Sequence, residues 1–132
     1  MTQILLDTSA YSAFFRGHEA VVRRLQEASR IVVTPIVLGE LRAGFAAGSR
    51  RENSEEELRR FTASPRVDLV PIDSDTSHRY AAIVLALRAA GTPIPTNDVW
   101  IAATAMQHGL RLLTTDAHYL RVVQVLVDYE GP

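Results

Sequence analysis

The hexapeptide "ILLDTS", Ile4 to Ser9, places an aspartate directly behind a short run of branched apolar residues and follows it with two hydroxyl side chains. An apolar run of this length is typical of a strand buried on both faces, as in a parallel sheet. Asp7 would then lie at the carboxyl end of that strand. Since aspartate also caps helices, Asp7 can equally be interpreted as the cap of a short helix over Tyr11 to Phe15.

Apolar runs of strand length alternate with helical patterns along the chain. The patterns predict strands over 4–6, 31–33, 67–72, 110–115 and 122–127. They predict helices over 18–28, 35–47 and 74–90. A further helix is predicted to begin at a capping box formed by Ser54 and Glu57 and to end at about residue 62, and another runs from Asn97 or Asp98 to residue 108. Parallel neighbours need crossover helices, so the alternation predicts an α/β fold with a mainly parallel central sheet of about five strands flanked by helices.

The composition narrows the class of protein. With 132 residues and 47% apolar content, the chain suits a single domain over residues 1–132 with its own core. The absence of cysteine excludes disulfides, thiolate nucleophiles and cysteine-ligated zinc. The amino terminus lacks the pattern of a signal peptide, and no segment approaches the roughly 20 apolar residues of a membrane span. We therefore expect a cytoplasmic protein without membrane association.

Acidic residues from four separate predicted elements are expected at one edge of the sheet, because ligands of such sheets bind outside the carboxyl ends of the strands. Asp7 follows the first strand, and Asp116 follows the fourth in "RLLTTD". Asp98 begins a helix in "PTNDVWIAATA". Glu40 lies within the otherwise apolar helix "PIVLGELRAGF", where a carboxylate is costly unless it is paired or metal-bound.

Each acid also has a purely structural interpretation. Any of the three aspartates can cap a helix, and Glu40 can pair with an arginine such as Arg42 or Arg79. Four carboxylates at one edge, however, raise one another's pKa and destabilise the fold unless a cation compensates. A cation is the simpler explanation of the set. Oxygen donors without cysteine suit Mg²⁺ or Mn²⁺ better than zinc.

Four segments resemble the acidic blocks of PIN-domain ribonucleases, in the order and spacing of the VapC-type toxins of bacterial toxin–antitoxin pairs. They are "LLDTSAYSAF", "TPIVLGELRAG", "PTNDVWIAATA" and "LLTTDAHYLRV", and the resemblance spans Ile4 to Val123. It implies a PIN-like three-layer fold. It also implies a catalytic, metal-binding quartet formed by Asp7, Glu40, Asp98 and Asp116, with Ser9 and Thr114 in supporting positions.

The same resemblance implies Mg²⁺-dependent endonucleolytic cleavage of RNA, with Mn²⁺ as a substitute, by attack of a metal-activated water. It further implies a homodimer and inhibition by a cognate VapB-type antitoxin. Two alternatives stay open: a free-standing RNA-processing nuclease without an antitoxin, and a non-catalytic PIN-like module that binds RNA or protein. An aspartyl phosphohydrolase fits less well, because "DTSA" lacks a second aspartate and the chain has no lysine.

Other side chains are secondary in this interpretation. All 14 lysine and arginine positions are arginines, a residue suited to contacts with phosphate. Without the four acids of the quartet, the chain has 11 acidic residues and 14 arginines, and this charge balance favours contact with RNA. No histidine is required, although His118 is expected closest to the site. The segment "SAFF" and the stripe from Val84 to Leu87 carry more apolar surface than a small core hides, and we expect them at a dimer or antitoxin contact.

Overall fold

The computed structural model describes residues 2–131 and contains one five-stranded sheet. The strands are β1 (Gln3–Leu6), β2 (Arg30–Val33), β3 (Val67–Leu69), β4 (Arg111–Thr114) and β5 (Val127–Tyr129). They pair in the order β3-β2-β1-β4-β5, and every pairing is parallel. The predicted α/β class with a parallel sheet of five strands is confirmed.

Helices connect these strands. They are α1 (Thr8–Phe15), α2 (Glu19–Glu27), α3 (Pro35–Ala47), α4 (Arg51–Thr62), α5 (Ser74–Ala90) and α6 (Thr96–His108), followed by a 3₁₀ helix over Ala117–Arg121. Local chemistry fixes several ends. The Thr34 hydroxyl accepts from the Val37 N–H at the start of α3, and Pro35 occupies its first turn. Gly91 and Gly109 end α5 and α6 in the left-handed conformation.

The core lies on both sides of the central strands. Ile4, Leu5 and Leu6 are consecutive residues of β1 that point to opposite faces, and all three are buried. The same holds for three consecutive residues of β2 and of β4. Both faces of the sheet are therefore covered, as a three-layer arrangement requires. Within residues 2–131, none of the helices combines the length and the hydropathy that a transmembrane segment requires.

The strand order contains one reversal, and it lies between β1 and β4. The chain proceeds from β1 outward through β2 to β3, and then returns to place β4 on the other side of β1. The Asp7 N–H donates to the Leu113 carbonyl (3.3 Å), so the carboxyl ends of the two strands are adjacent. In open parallel sheets such a reversal opens a crevice at these ends, where ligands bind.

Two strands are shorter or later than predicted. β3 ends at Leu69, with one further bond from the Val70 N–H to the Val33 carbonyl, because Pro71 has no N–H to continue the ladder. The predicted strand over 122–127 is wrong: β5 begins only at Val127. Val122 and Val125 are buried from a turn instead, so an apolar run fills the core without forming a strand.

Two helix starts also differ. The predicted capping box at Ser54 and Glu57 is wrong, because the Ser54 N–H already donates to the Arg50 carbonyl inside α4. The strong helix formers upstream of Ser54 extend the helix to Arg51. α6 starts at Thr96, one residue before the predicted range, so Asp98 lies within its first turn and is not its cap.

An ion pair between the buried Asp128 and the half-exposed Arg111 joins β5 to β4. Asp128, only 6% exposed, accepts from Arg111 Nε (2.8 Å) and Nη2 (2.7 Å). The hydrogen bonds and charge of Arg111 lower the pKa of Asp128. We expect Asp128→Asn to reduce the free energy of unfolding by about 1–3 kcal/mol at pH 7, measured by urea denaturation.

The pH dependence of this loss follows from the lowered pKa. Because its pKa is lowered in the folded protein, the ionised Asp128 stabilises the fold at pH values above the ordinary pKa of aspartate. This stabilisation is lost as the pH falls through the pKa of Asp128 in the folded protein. The free energies of unfolding of the wild type and of Asp128→Asn should therefore become equal in acid. Asp68→Asn is the matched control, because Asp68 pairs with Arg30 (2.6 Å) at 50% exposure and should cost less than about 1 kcal/mol. Equal losses for both variants would contradict this account.

Candidate functional site

The crevice between the ends of β1 and β4 is lined by hydroxyl and carboxylate groups. Thr114, the last residue of β4, donates from Oγ1 to Asp7 Oδ2 (2.8 Å) and accepts from the Asp116 N–H (2.9 Å). One buried threonine therefore fixes the position of the acids that follow two neighbouring strands.

Asp7 both caps α1 and faces the crevice. Its Oδ1 accepts from the Ala10 N–H (2.8 Å), and Ser9 Oγ lies 2.9 Å from both carboxylate oxygens. The side chain is 3% exposed, and burial raises its pKa to about 6 against the opposing effect of these hydrogen bonds. Asp7 is therefore both the N-cap of α1 and a side chain of the crevice.

Asp98 is the acid whose charge interacts with those of the other three. It extends from the first turn of α6, and its Oδ1 accepts from the Tyr119 hydroxyl (3.2 Å). Its pKa is raised, first by burial and then by repulsion from Asp116 and Glu40, while Tyr119 and His118 oppose the shift. Repulsion between Asp98 and Asp7 adds to the raised pKa of Asp7. The other three predicted acids therefore all lie within electrostatic reach of Asp98.

Glu40 reaches the crevice from α3 without an arginine partner. Its Oε1 accepts from Thr8 Oγ1 (2.6 Å), and its Oε2 from Asn97 Nδ2 (3.4 Å). Arg42, one of the partners considered for it, pairs with Glu55 instead (3.4 Å). This half-buried carboxylate is held by one hydroxyl and one amide, and no ion pair to it is present among the described residues.

Asp116 and His118 lie on the far side of Asp98. Asp116 Oδ1 accepts from the His118 N–H (2.9 Å) and so caps the 3₁₀ helix. His118 Nδ1 lies 3.1 Å from Asp116 Oδ1 and 3.8 Å from Asp98 Oδ2. One ligand atom from each of these three residues falls within 4.8 Å of the other two. Asp7 and Glu40 lie outside this tight group.

The donors of the crevice suit a hard divalent cation. They are carboxylate oxygens from four elements with one imidazole nitrogen beside them, a set that fits Mg²⁺ or Mn²⁺ and differs from the sulfur-rich sets of structural zinc sites. The raised pKa values of Asp7 and Asp98 point the same way, because a cation in the crevice would offset the repulsion and the loss of solvation that raise them.

Comparison with known proteins assigns this architecture to a family. The family model for the PIN domain matches residues 4–125. The chain belongs to the PIN-domain family. Ribonuclease VapC4 of Mycobacterium tuberculosis is 39% identical to it over 95 residues, which are 72% of this chain and 73% of that protein. Ribonuclease VapC11 of the same species is 34% identical and covers 88% of each chain.

Two solved structures share the fold of this chain. FitAcB from Neisseria gonorrhoeae superposes with a TM-score of 0.78 at 29% identity, covering 97% of both chains. VapBC2 from Rickettsia felis reaches a TM-score of 0.86 over 97% of this chain and 98% of that one, and at 20% identity it speaks for the fold alone. The relatives named VapC place this PIN domain among the VapC-type members.

His118, expected nearest the site but given no role in it, lies beside two of the acids, and Tyr119, Thr8 and Asn97 contact the acids without having been predicted. The 3₁₀ turn after Asp116 folds the chain back, so that the imidazole returns to the two aspartates. The signal available in the sequence was its position two residues after an acid at the end of a strand.

The buried hydroxyl of Thr114 offers a test of how the PIN site is held together. We expect Thr114→Val to reduce the free energy of unfolding by about 1–3 kcal/mol, because the substitution removes one of the hydrogen bonds to the buried Asp7 carboxylate and leaves the Asp116 N–H without its acceptor. Thr104→Val is the control: Thr104 is equally buried, but its hydroxyl only donates to the Trp100 carbonyl within α6. Urea denaturation of both variants measures the two losses. A larger loss of unfolding free energy for Thr104→Val than for Thr114→Val would contradict the role given to Thr114.

Proposed function

We propose that this chain, as a single PIN domain over residues 1–132, is a divalent-metal-dependent endoribonuclease and the toxin of a VapBC-type toxin–antitoxin pair. The observation that carries the proposal is the convergence of three acids, Asp7, Glu40 and Asp116, on a fourth, Asp98, at the crevice where a parallel sheet binds its ligands. The names of the VapC relatives supply the reaction class, since each is a ribonuclease.

Asp7, Glu40, Asp98 and Asp116 are the residues proposed to hold the ion, Mg²⁺ with Mn²⁺ as a substitute. When bound, such an ion supplies an activated water and neutralises charge on the scissile phosphate. Within the protein, Thr8 orients Glu40, and Tyr119 orients Asp98 by donating to it. Ser9 and Thr114 fix Asp7, so the acids need little rearrangement to bind an ion.

RNA must approach a site that is rich in negative charge. Apart from the four acids of the quartet, the chain has 11 acidic residues and 14 arginines. When an ion neutralises the quartet, the rest of the protein therefore does not repel a polyanion. Arg16, Arg42, Arg50 and Arg51 are the candidates for phosphate contacts. The surroundings of Asp116 are half-exposed, which leaves the crevice open to a strand of RNA.

The proposed partners are a cognate VapB-type antitoxin and a second copy of the chain. The proteins of this fold crystallised from Rickettsia felis and Salmonella typhimurium are VapBC complexes with DNA. Apolar surface is available for such contacts. Leu85, in the stripe from Val84 to Leu87, is 65% exposed, and Phe15 of the "SAFF" segment is also exposed beside Tyr11 and Phe61.

Cleavage of total cellular RNA by purified protein, free of antitoxin, tests the proposal. We expect discrete fragments with Mg²⁺ or Mn²⁺ and none with EDTA, because the acids alone cannot activate water for attack on a phosphodiester. Cutting that persists in EDTA would contradict metal dependence. Folded protein that leaves every RNA intact with either ion would favour the non-catalytic binding module.

A further inference from the structure

His118 brings an imidazole nitrogen, a possible metal ligand, close to the acids of the crevice. Its Nδ1 is buried from solvent, although the side chain as a whole is 43% exposed. Among the described residues, this nitrogen has no hydrogen-bond partner of suitable geometry, even though Asp116 Oδ1 is 3.1 Å away. The contact has the distance of an ion pair but not the direction of a hydrogen bond. A cation bound between His118 and the aspartates would give this nitrogen a partner.

The distances agree with a shared cation. Neighbouring ligands of an octahedral ion with bonds of about 2.1 Å are about 3.0 Å apart, and opposite ligands about 4.2 Å. Nδ1 lies 3.1 Å from Asp116 Oδ1, which matches neighbouring ligands, and 3.8 Å from Asp98 Oδ2, which falls between the two cases. One of the two distances thus already suits neighbouring ligands of one ion, and the three ligand atoms all lie within 4.8 Å of one another.

We propose that His118 is a direct nitrogen ligand of the metal centre and that it makes the centre select first-row transition ions such as Mn²⁺ over Mg²⁺. The inference rests on the metal site of the proposed function and specifies its ion. Mg²⁺ is a hard ion that prefers oxygen and keeps its waters, whereas first-row transition ions bind nitrogen ligands with an affinity that is lowest for Mn²⁺ and rises from Mn²⁺ to Cu²⁺. A nitrogen ligand therefore favours the transition ion, while the carboxylates serve both.

An ion pair between His118 and the aspartates is the competing role, and ion selectivity separates the two. Removing a charge partner would change the affinity for Mn²⁺ and Mg²⁺ by the same factor, because both ions carry the same charge. Removing a ligand would weaken Mn²⁺ binding alone. We expect His118→Asn to weaken Mn²⁺ binding about tenfold and to change Mg²⁺ binding less than about threefold.

The experiment uses the purified full chain and the metal ions alone. Calorimetric titration gives the affinities for Mn²⁺ and Mg²⁺, and electron spin-echo spectroscopy of bound Mn²⁺ reports a directly coordinated nitrogen. His78→Asn is the matched control, since His78 is exposed on α5. Nitrogen coupling in the wild type and in His78→Asn, lost in His118→Asn together with the preference for Mn²⁺, would support the inference.

Two results would overturn it. Mn²⁺ bound without nitrogen coupling, and with equal affinity in the wild type and His118→Asn, would refute the ligand role and leave the carboxylate site intact. If the wild type bound neither ion at millimolar concentration, the metal site of the proposed function would fail as well. The spectrum of the wild type decides the question even if the variant folds poorly.

Discussion

Asp98→Asn is expected to reduce metal-dependent RNA cleavage by at least about 10³-fold while the fold is retained. Asp98 is the acid in electrostatic contact with Asp7, Glu40 and Asp116, so its charge is central to holding a divalent ion. Asparagine keeps an oxygen that can accept from the Tyr119 hydroxyl, so packing should change little. Loss of several kcal/mol of stabilisation of the transition state corresponds to an effect of this size.

The matched control for this variant is Asp75→Asn. Asp75 lies exposed in the first turn of α5, and the chemical change is the same. Rates of RNA cleavage at saturating Mg²⁺ should be those of the wild type for Asp75→Asn and at background for Asp98→Asn. Wild-type cutting by Asp98→Asn would remove Asp98 from the site, and equal loss in both variants would show that the effect is not specific to the crevice.

Asp7→Asn is expected to act in opposite directions on activity and on stability. In metal-free protein at pH 7.5 we expect the variant to be more stable than the wild type by about 1–3 kcal/mol. Burial raises the pKa of Asp7 to about 6, so the charged form that predominates above pH 6 opposes folding. Asparagine is neutral and keeps an acceptor for the Ala10 N–H at the start of α1.

The sign of the pH dependence follows from the same pKa. Between the ordinary value for aspartate, 3.8, and about 6, the folded protein binds a proton at Asp7 more tightly than the unfolded chain does. This group therefore makes the wild type more stable as the pH falls from 7 to 4. The advantage of Asp7→Asn should shrink over that range and vanish below about pH 4.

Thermal unfolding with and without Mg²⁺ measures both effects. Without metal, the melting temperature of Asp7→Asn should exceed that of the wild type at pH 7.5 by several degrees, and the two should agree near pH 4. Millimolar Mg²⁺ should raise the melting temperature of the wild type more than that of the variant, because only the wild type retains the full set of ligands. A variant less stable than the wild type at pH 7.5 would show that hydrogen bonding to the charged carboxylate outweighs its burial.

Much of the fold could be predicted because local rules and tertiary structure agree. Successive residues of a strand point to opposite faces of the sheet, so the continuous apolar run before Asp7 is removed from water only when both faces are covered. This pattern identifies a central strand of a parallel sheet. Thr34 with Pro35, and Gly91 and Gly109, mark helix ends through chemistry that does not depend on the rest of the chain. The four acids could be located because each follows or interrupts one of these elements.

The parts that could not be predicted depend on contacts between distant segments. Val122 and Val125 are buried from a turn, and an apolar run alone does not distinguish this from a strand. The capping pattern at Ser54 competes with helix formers upstream of it, and the helix continues through it. The position of His118 requires the 3₁₀ turn and the packing of Tyr119 beneath Asp98, neither of which has a local signal.

A crystal structure of the protein soaked in Mn²⁺, with data collected at the manganese absorption edge, tests the central claim most directly. The account predicts an anomalous peak in the crevice between the ends of β1 and β4, within about 2.0–2.4 Å of a carboxylate oxygen of Asp98 and bound by further acids of the quartet directly or through water. The same crystals of Asp98→Asn should show no peak there. A wild-type crevice without manganese, in protein whose RNA cleavage requires Mn²⁺, would contradict the account.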